Sequence, residues 1–185
     1  TIQKGTLGSD MAYDLAIDAS DNMFLAGTAE GSLDGQPYQT GTRDAFFTKF
    51  DSYGQPQFTR MIGSSSTSGT GDDNFQAILV DATGNIYTTG DSFGASTITF
   101  DGITKIGSTD IFFIKYSSAG TKISTDLFGS TSADSGKVLL RDSAGNIFLV
   151  GTAKLAATLI DGQAFVDALA EPWPARNAAK SVSRR

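Results

Sequence analysis

The chain alternates short apolar runs with turn-forming residues, a pattern typical of β-strands rather than of helices. One arrangement occurs three times: an apolar run, the turn Asp-x-x-Gly/Asp-Asn, and a second apolar run that ends in Gly. It covers residues 15–27, 78–90 and 139–151. Asp accepts hydrogen bonds from amides two residues further on, and Gly and Asn tolerate a positive φ. Each of the three segments therefore predicts a β-hairpin.

A second arrangement lies between these hairpins, at residues 43–63 and 109–129, and it also predicts a hairpin. Residues 111–114 are four consecutive apolar residues. A strand that is apolar on both faces is buried on both faces, so this one is expected inside a stack of sheets. We interpret the two Phe pairs, 46–47 and 112–113, as part of the core between sheets.

The two arrangements repeat at intervals of 61 to 66 residues and together supply four strands per unit. The sequence therefore predicts an all-β fold of four-stranded antiparallel β-propeller blades, about two and a half per chain. The predicted units are residues 12–63, 75–129 and 136–165. An Asp-Gly dipeptide in the connector between hairpins predicts an additional small hairpin or ordered loop. These dipeptides are residues 34–35, 101–102 and 161–162.

Both ends of the repeat region, residues 1–165, are open to more than one interpretation. Residues 3–8 resemble the last strand of a preceding unit. A ring needs about 4–8 blades, so the chain is a fragment of a longer protein, closes a ring as a homo-oligomer, or stacks its blades openly. The tail at residues 166–185 departs from the repeat and is locally basic. It is interpreted as a frayed extension, a site for an acidic partner, or a cover for an open sheet edge.

The order of the hairpins carries a family resemblance. An Asp-x-x-Gly-Asn hairpin is followed by a hairpin that begins Asp-x-Phe-Phe, at residues 44–47 and 110–113. This pairing resembles the bacterial SBBP-type β-propeller repeat, over about residues 1–165. The resemblance implies a β-propeller fold and a secreted, periplasmic or cell-surface location in a bacterium. It implies no particular activity.

Charge and missing residue types narrow the function classes. The net charge of −6 argues against nucleic acid as a partner, because phosphate binding needs a basic face. No apolar run is long enough to span a bilayer, and no signal-peptide pattern is present. The chain has no Cys and no His, which excludes disulfides, His/Cys zinc sites, and Ser-His-Asp or Cys-His catalysis. We therefore expect no cofactor, no metal ion and no catalytic residue.

Asp72 and Asp73, in the Gly/Ser-rich segment 63–74, are the candidate binding residues. Neighbouring carboxylates are suited to binding a cation or a sugar, or to glycoside hydrolysis. The alternative is a solvated, flexible loop that holds no site. The aspartates of the Asp-x-x-Gly-Asn turns are interpreted as structural, with calcium binding as the alternative.

Taken together, these patterns favour a non-catalytic β-propeller scaffold or binding module whose partner is a protein or a glycan. Two alternatives stay open, a glycan-active enzyme that uses the loop carboxylates and a purely structural repeat module. Turnover that disappears when Asp72 and Asp73 are replaced would favour the enzyme. A glycan array without hits would favour the structural module.

Overall fold

A computed structural model of the chain describes residues 3–39, 41–65 and 71–153. These residues form an all-β fold without a helix, so none of them belongs to a helix that could cross a membrane. The strands are β1 (Met11–Ile17), β2 (Met23–Ala29), β3 (Asp44–Phe50), β4 (Pro56–Ile62), β5 (Ser64–Ser65), β6 (Asp72–Val80), β7 (Ile86–Phe93), β8 (Thr99–Phe100), β9 (Ile103–Thr104), β10 (Thr109–Tyr116), β11 (Lys122–Phe128), β12 (Asp134–Arg141) and β13 (Ile147–Ala153).

The strands form antiparallel sheets in the order of the chain. The first sheet is β1-β2-β3-β4, the second is β6-β7-β10-β11, and the third is the hairpin β12-β13. The Asp-x-x-Gly-Asn turns close the hairpins β1-β2, β6-β7 and β12-β13, and the second arrangement forms β3-β4 and β10-β11. The predicted hairpins are therefore confirmed, because each depends on local turn chemistry that the sequence displays directly.

The connector of the second sheet forms the predicted small hairpin, β8-β9. Asp101 and Gly102 have φ angles of 51° and 78°, which is the left-handed pair that a two-residue hairpin turn needs. β8 also pairs with β5, giving a small three-stranded sheet. In the first unit, Asp34 and Gly35 make the same turn, but no strands flank it. The third Asp-Gly, residues 161–162, lies outside the described residues.

The sheets stack on one another through two apolar cores. The core between the first and second sheets contains Phe47, Phe75 and Phe112, with the last two rings 5.5 Å apart in an edge-to-face arrangement. The core between the second and third sheets contains Phe113 and Leu139. The second sheet is thus covered on both faces, as the apolar run at residues 111–114 predicts.

Two features differ from the simplest form of the predicted repeat. Residues 3–8 form no strand, because Thr6 is held by the Asp10 side chain rather than by a neighbouring strand. In the described part of the chain the sheets stack in sequence, and they do not close into a ring. The blade arrangement of a propeller therefore stays a prediction.

Candidate functional site

The two predicted site residues lie at the start of β6, not in an irregular loop. Asp73 is only 1% exposed, and its carboxylate accepts hydrogen bonds from the backbone N–H and the hydroxyl of Ser64, both at 2.7 Å. Asp72 is half-buried and forms an ion pair with Arg43, with 2.9 Å between Nη2 and Oδ2. Both carboxylates are therefore engaged with other parts of the chain.

Asp73 belongs to a set of aspartates that we call the strand-start carboxylates. They lie at or next to the first residues of β1, β3, β6, β10 and β12, which run in one direction within each sheet. Parallel bridges from Arg43 to Asp72 and from Thr109 to Ala133 bring consecutive sheets together at this end. The set therefore lines one end of the stack. Its members are Asp10, Asp44, Asp73, Asp110 and Asp134.

The strand-start carboxylates hold the segments that precede their strands. Thr6 and Ser130 donate a backbone N–H and a hydroxyl to an aspartate four residues later, as Ser64 does to Asp73. Asp44 accepts the N–H of Gln39 at 2.6 Å, and Asp110 accepts the N–H groups of the connector immediately before it. Buried hydrogen bonds of this kind fix a loop, because breaking one leaves an unsatisfied polar group. Their arrangement is suited to structure.

Burial shifts the ionisation of two of these groups upward. Burial raises the pKa of Asp44 to about 7, against a backbone hydrogen bond that lowers it, and the charge of Asp73 adds to the rise. Burial likewise raises the pKa of Asp73 to about 6, with the bonds from Ser64 offsetting part of the effect. Gly63 lies so close that a Cβ there would be 2.1 Å from Asp44 Oδ1. The carboxyl of Asp44 is thus enclosed by the chain.

The turn aspartates are occupied in the same way. Asp81 accepts hydrogen bonds from the N–H groups of Thr83 and Asn85 at 2.8 and 3.0 Å, and from the hydroxyl of Tyr87 at 3.0 Å. Burial opposes these bonds, but together they lower the pKa of Asp81 to about 2. Asp18 and Asp142 bind their turns through the same Asn contacts. The described residues contain no cluster of three or more acidic side chains arranged for a metal ion.

Replacing Asp81 with Ala is expected to lower the free energy of unfolding by about 1–2 kcal/mol, because the Tyr87 hydroxyl and two turn amides lose their acceptor. Asp142→Ala is the matched control in the third hairpin, where the carboxylate is exposed and the loss is expected to be smaller. Urea unfolding monitored by tryptophan-independent far-ultraviolet circular dichroism measures both. Equal losses for the two variants would contradict the role assigned to the Tyr87 contact.

A cleft between the outer strands of the first and second sheets is the cavity with a mixed polar lining. Its volume is about 610 Å³, within the range of small-ligand sites. Arg60 of β4 lines one wall, and Tyr116 and Lys122 line the other. Asp101 of the β8-β9 turn contributes a carboxylate, and Thr121 contributes an exposed hydroxyl.

Arg60 crosses the cleft and binds the neighbouring sheet. Its Nε donates to the carbonyl of Gly120 at 2.7 Å, and Nη2 donates to that of Ala119 at 3.3 Å. A third bond joins Nη1 to the carbonyl of Thr59 at 2.7 Å, and the guanidinium lies 4.7 Å from the ring centroid of Phe58. These bonds use three of the five guanidinium N–H groups. One N–H on each terminal nitrogen is left for a ligand oxygen.

The opposite wall holds an ion pair. Lys122 donates to Asp101, which also accepts from the hydroxyl of Thr125. With Arg60, the cleft carries two cationic side chains and one carboxylate, so its local charge is positive in a chain whose net charge is −6. A cationic cleft on an acidic protein selects ligands that carry an anionic or strongly polar group.

Sequence reasoning did not identify this cleft, because its walls come from residues about sixty positions apart. One sequence signal was available. Asp34 accepts from the hydroxyl of Thr59 as Asp101 accepts from Thr125, and both pairs recur at intervals of 66 to 67 residues. A repeated Asp-Gly turn followed by a Thr in the last strand of its unit thus marks where the connector contacts that strand.

Comparison with known proteins adds no family assignment: no protein family and no curated protein matches this chain. The resemblance to the SBBP-type repeat therefore stays a prediction from the hairpin pattern.

Proposed function

We propose that this chain is a non-catalytic binding scaffold, built from β-propeller-type blades of the SBBP kind and acting at a bacterial cell surface. The observation that carries the proposal is the cleft between the first and second sheets, with a volume of about 610 Å³ and a polar, cationic lining. Cavities of this size that converge polar groups on a rigid framework are the usual location of ligand sites. The partner is a glycan or a protein segment that carries a carboxylate.

The chemistry of the carboxylates supports binding over catalysis. Asp72 and Asp73, the pair on which an enzyme would depend, are bound to Arg43 and Ser64. Asp73 is also 1% exposed, so a substrate has little access to it. A general acid or base must lie within hydrogen-bond reach of the substrate. The cleft, in contrast, offers Arg60, Lys122 and Thr121 to a ligand.

An array of immobilised oligosaccharides, neutral and uronic-acid-containing, tests the proposal. The wild-type chain is expected to bind the uronic-acid probes, and Thr121→Trp is expected to weaken that binding at least about tenfold, because the larger side chain fills the cleft. Tyr53→Ala, at an exposed turn position away from the cleft, is the matched control and is expected to bind like the wild type.

Two results would overturn the proposal. Absence of binding to every probe would favour a purely structural repeat module. Turnover of a probe that disappears in Asp72→Asn or Asp73→Asn would favour the glycan-active enzyme. Unchanged binding by Thr121→Trp would place the site elsewhere on the scaffold.

A further inference from the structure

We propose that two copies of this chain associate head to tail through the outer faces of the stacked sheets. The entering face is the outer face of the first sheet, with Tyr13, Leu15 and Ile17 of β1. The leaving face is the outer face of the third sheet, with the side chains Val138, Leu140 and Val150. The inference deepens the proposed scaffold function, because a second copy would extend the stack, but it rests on residues outside the cleft.

The entering face repeats positions that are buried inside the chain. Leu15 precedes Ile78 by 63 residues, the interval that also separates the turn aspartates of their hairpins. Ile78 is 5% exposed and packs in the core against the first sheet, whereas Leu15 is 52% exposed. Ile17 is 59% exposed, and its counterpart Val80 packs against the same core. The first sheet thus presents an interface position without the neighbouring sheet that covers it in the second.

The leaving face shows the same relation from the other side. Val138 and Leu140 follow Ala77 and Leu79 by 61 residues. Ala77 is 4% exposed, and both earlier residues pack against the third sheet, whereas Val138 and Leu140 are 41% and 55% exposed. Three large aliphatic side chains on one outer face form an apolar patch of a kind that marks an interaction surface.

The internal contacts also determine the orientation. Within the chain, the leaving face of each sheet packs against the entering face of the next one, first to second and second to third. A second copy of the chain supplies the entering face that the third sheet lacks, with the same residue types at the same repeat positions. Contacts of this heterologous type continue from copy to copy until they close a ring or form a filament.

Size-exclusion chromatography with light scattering tests this arrangement on the full chain. The wild type is expected to have a mass of two or more times 19.4 kDa at micromolar concentrations. Leu15→Lys blocks the entering face and Leu140→Lys blocks the leaving face, so each variant alone is expected to be monomeric. An equimolar mixture retains one intact face of each kind and is expected to form a dimer that grows no further.

Ile123→Lys is the matched control, since Ile123 is 56% exposed on β11 of the second sheet, whose two faces are already covered. It is expected to keep the wild-type mass, and thermal melts check that every variant folds. A monomeric wild type at all concentrations, or a mixture that stays monomeric, would overturn the proposal. Loss of association in only one of the two lysine variants would contradict the head-to-tail orientation. Thr121→Trp is expected to keep the wild-type mass, so this result is independent of ligand binding in the cleft.

Discussion

Phe112→Ala is expected to lower the free energy of unfolding by about 3–5 kcal/mol, the largest loss from any single substitution considered. Phe112 is fully buried in the core between the first and second sheets. Its ring stacks on Phe100 with centroids 4.6 Å apart and meets Phe75 edge to face at 5.5 Å. Truncation leaves a cavity that two sheets and the β8-β9 hairpin cannot all close, so both transfer and cavity terms are lost.

Urea unfolding followed by circular dichroism measures this loss. Because domains of this size have a total stability of about 5–15 kcal/mol, Phe112→Leu serves as a milder variant that stays folded if Phe112→Ala does not. Phe93→Ala is the matched control, since Phe93 is 53% exposed at the end of β7; its effect is expected to stay within about 0.5 kcal/mol. Similar losses for Phe112→Ala and Phe93→Ala would contradict the stacked arrangement of the sheets.

The strands and turns could be predicted because their causes are local. The carboxylate of Asp81 and the amides it binds lie within four residues, and Asp101-Gly102 adopts the φ angles that its turn requires. The stacking of sheets could also be predicted, because residues 111–114 are apolar on both faces of one strand. The alternation of side chains in a strand makes this inference independent of the rest of the fold.

The candidate site could not be predicted in the same way, because its causes are contacts between distant residues. Asp73 follows a Gly/Ser-rich segment that predicts an exposed loop, yet Ser64 binds it and it starts a buried strand. The spacing hides the relation, since Thr6 and Ser130 bind an aspartate four residues later, whereas Ser64 binds one nine residues later. The cleft depends on Arg60 reaching a turn sixty residues away, which only the packing of the sheets brings close.

The free energy of unfolding is expected to fall as the pH rises from about 4 to about 7, because of Asp44. In the folded chain burial raises the pKa of Asp44 to about 7, whereas its ordinary value is 3.8. Below the lower value both states are protonated, and the folded state is fully stable. Between the two values the unfolded chain releases the proton and the folded chain retains it, so stability is lost as the pH rises through the folded pKa. The second carboxylate oxygen of Asp44 accepts no hydrogen bond from the described residues, which agrees with a preference for the protonated form.

Asp44→Asn isolates this contribution, because the amide oxygen can still accept the N–H of Gln39 but carries no charge at any pH. Stability measured by urea unfolding in a series of buffers is expected to decline less steeply between about pH 4 and 7 in this variant than in the wild type. Asp81→Asn is the matched control. Hydrogen bonds outweigh burial and lower the pKa of Asp81 to about 2, so its contribution is present above the ordinary pKa and is lost only as the pH falls below it. Asp81→Asn should therefore leave the slope on the neutral side unchanged, and an unchanged slope in Asp44→Asn would mean that the burial of Asp44 does not set the pH dependence.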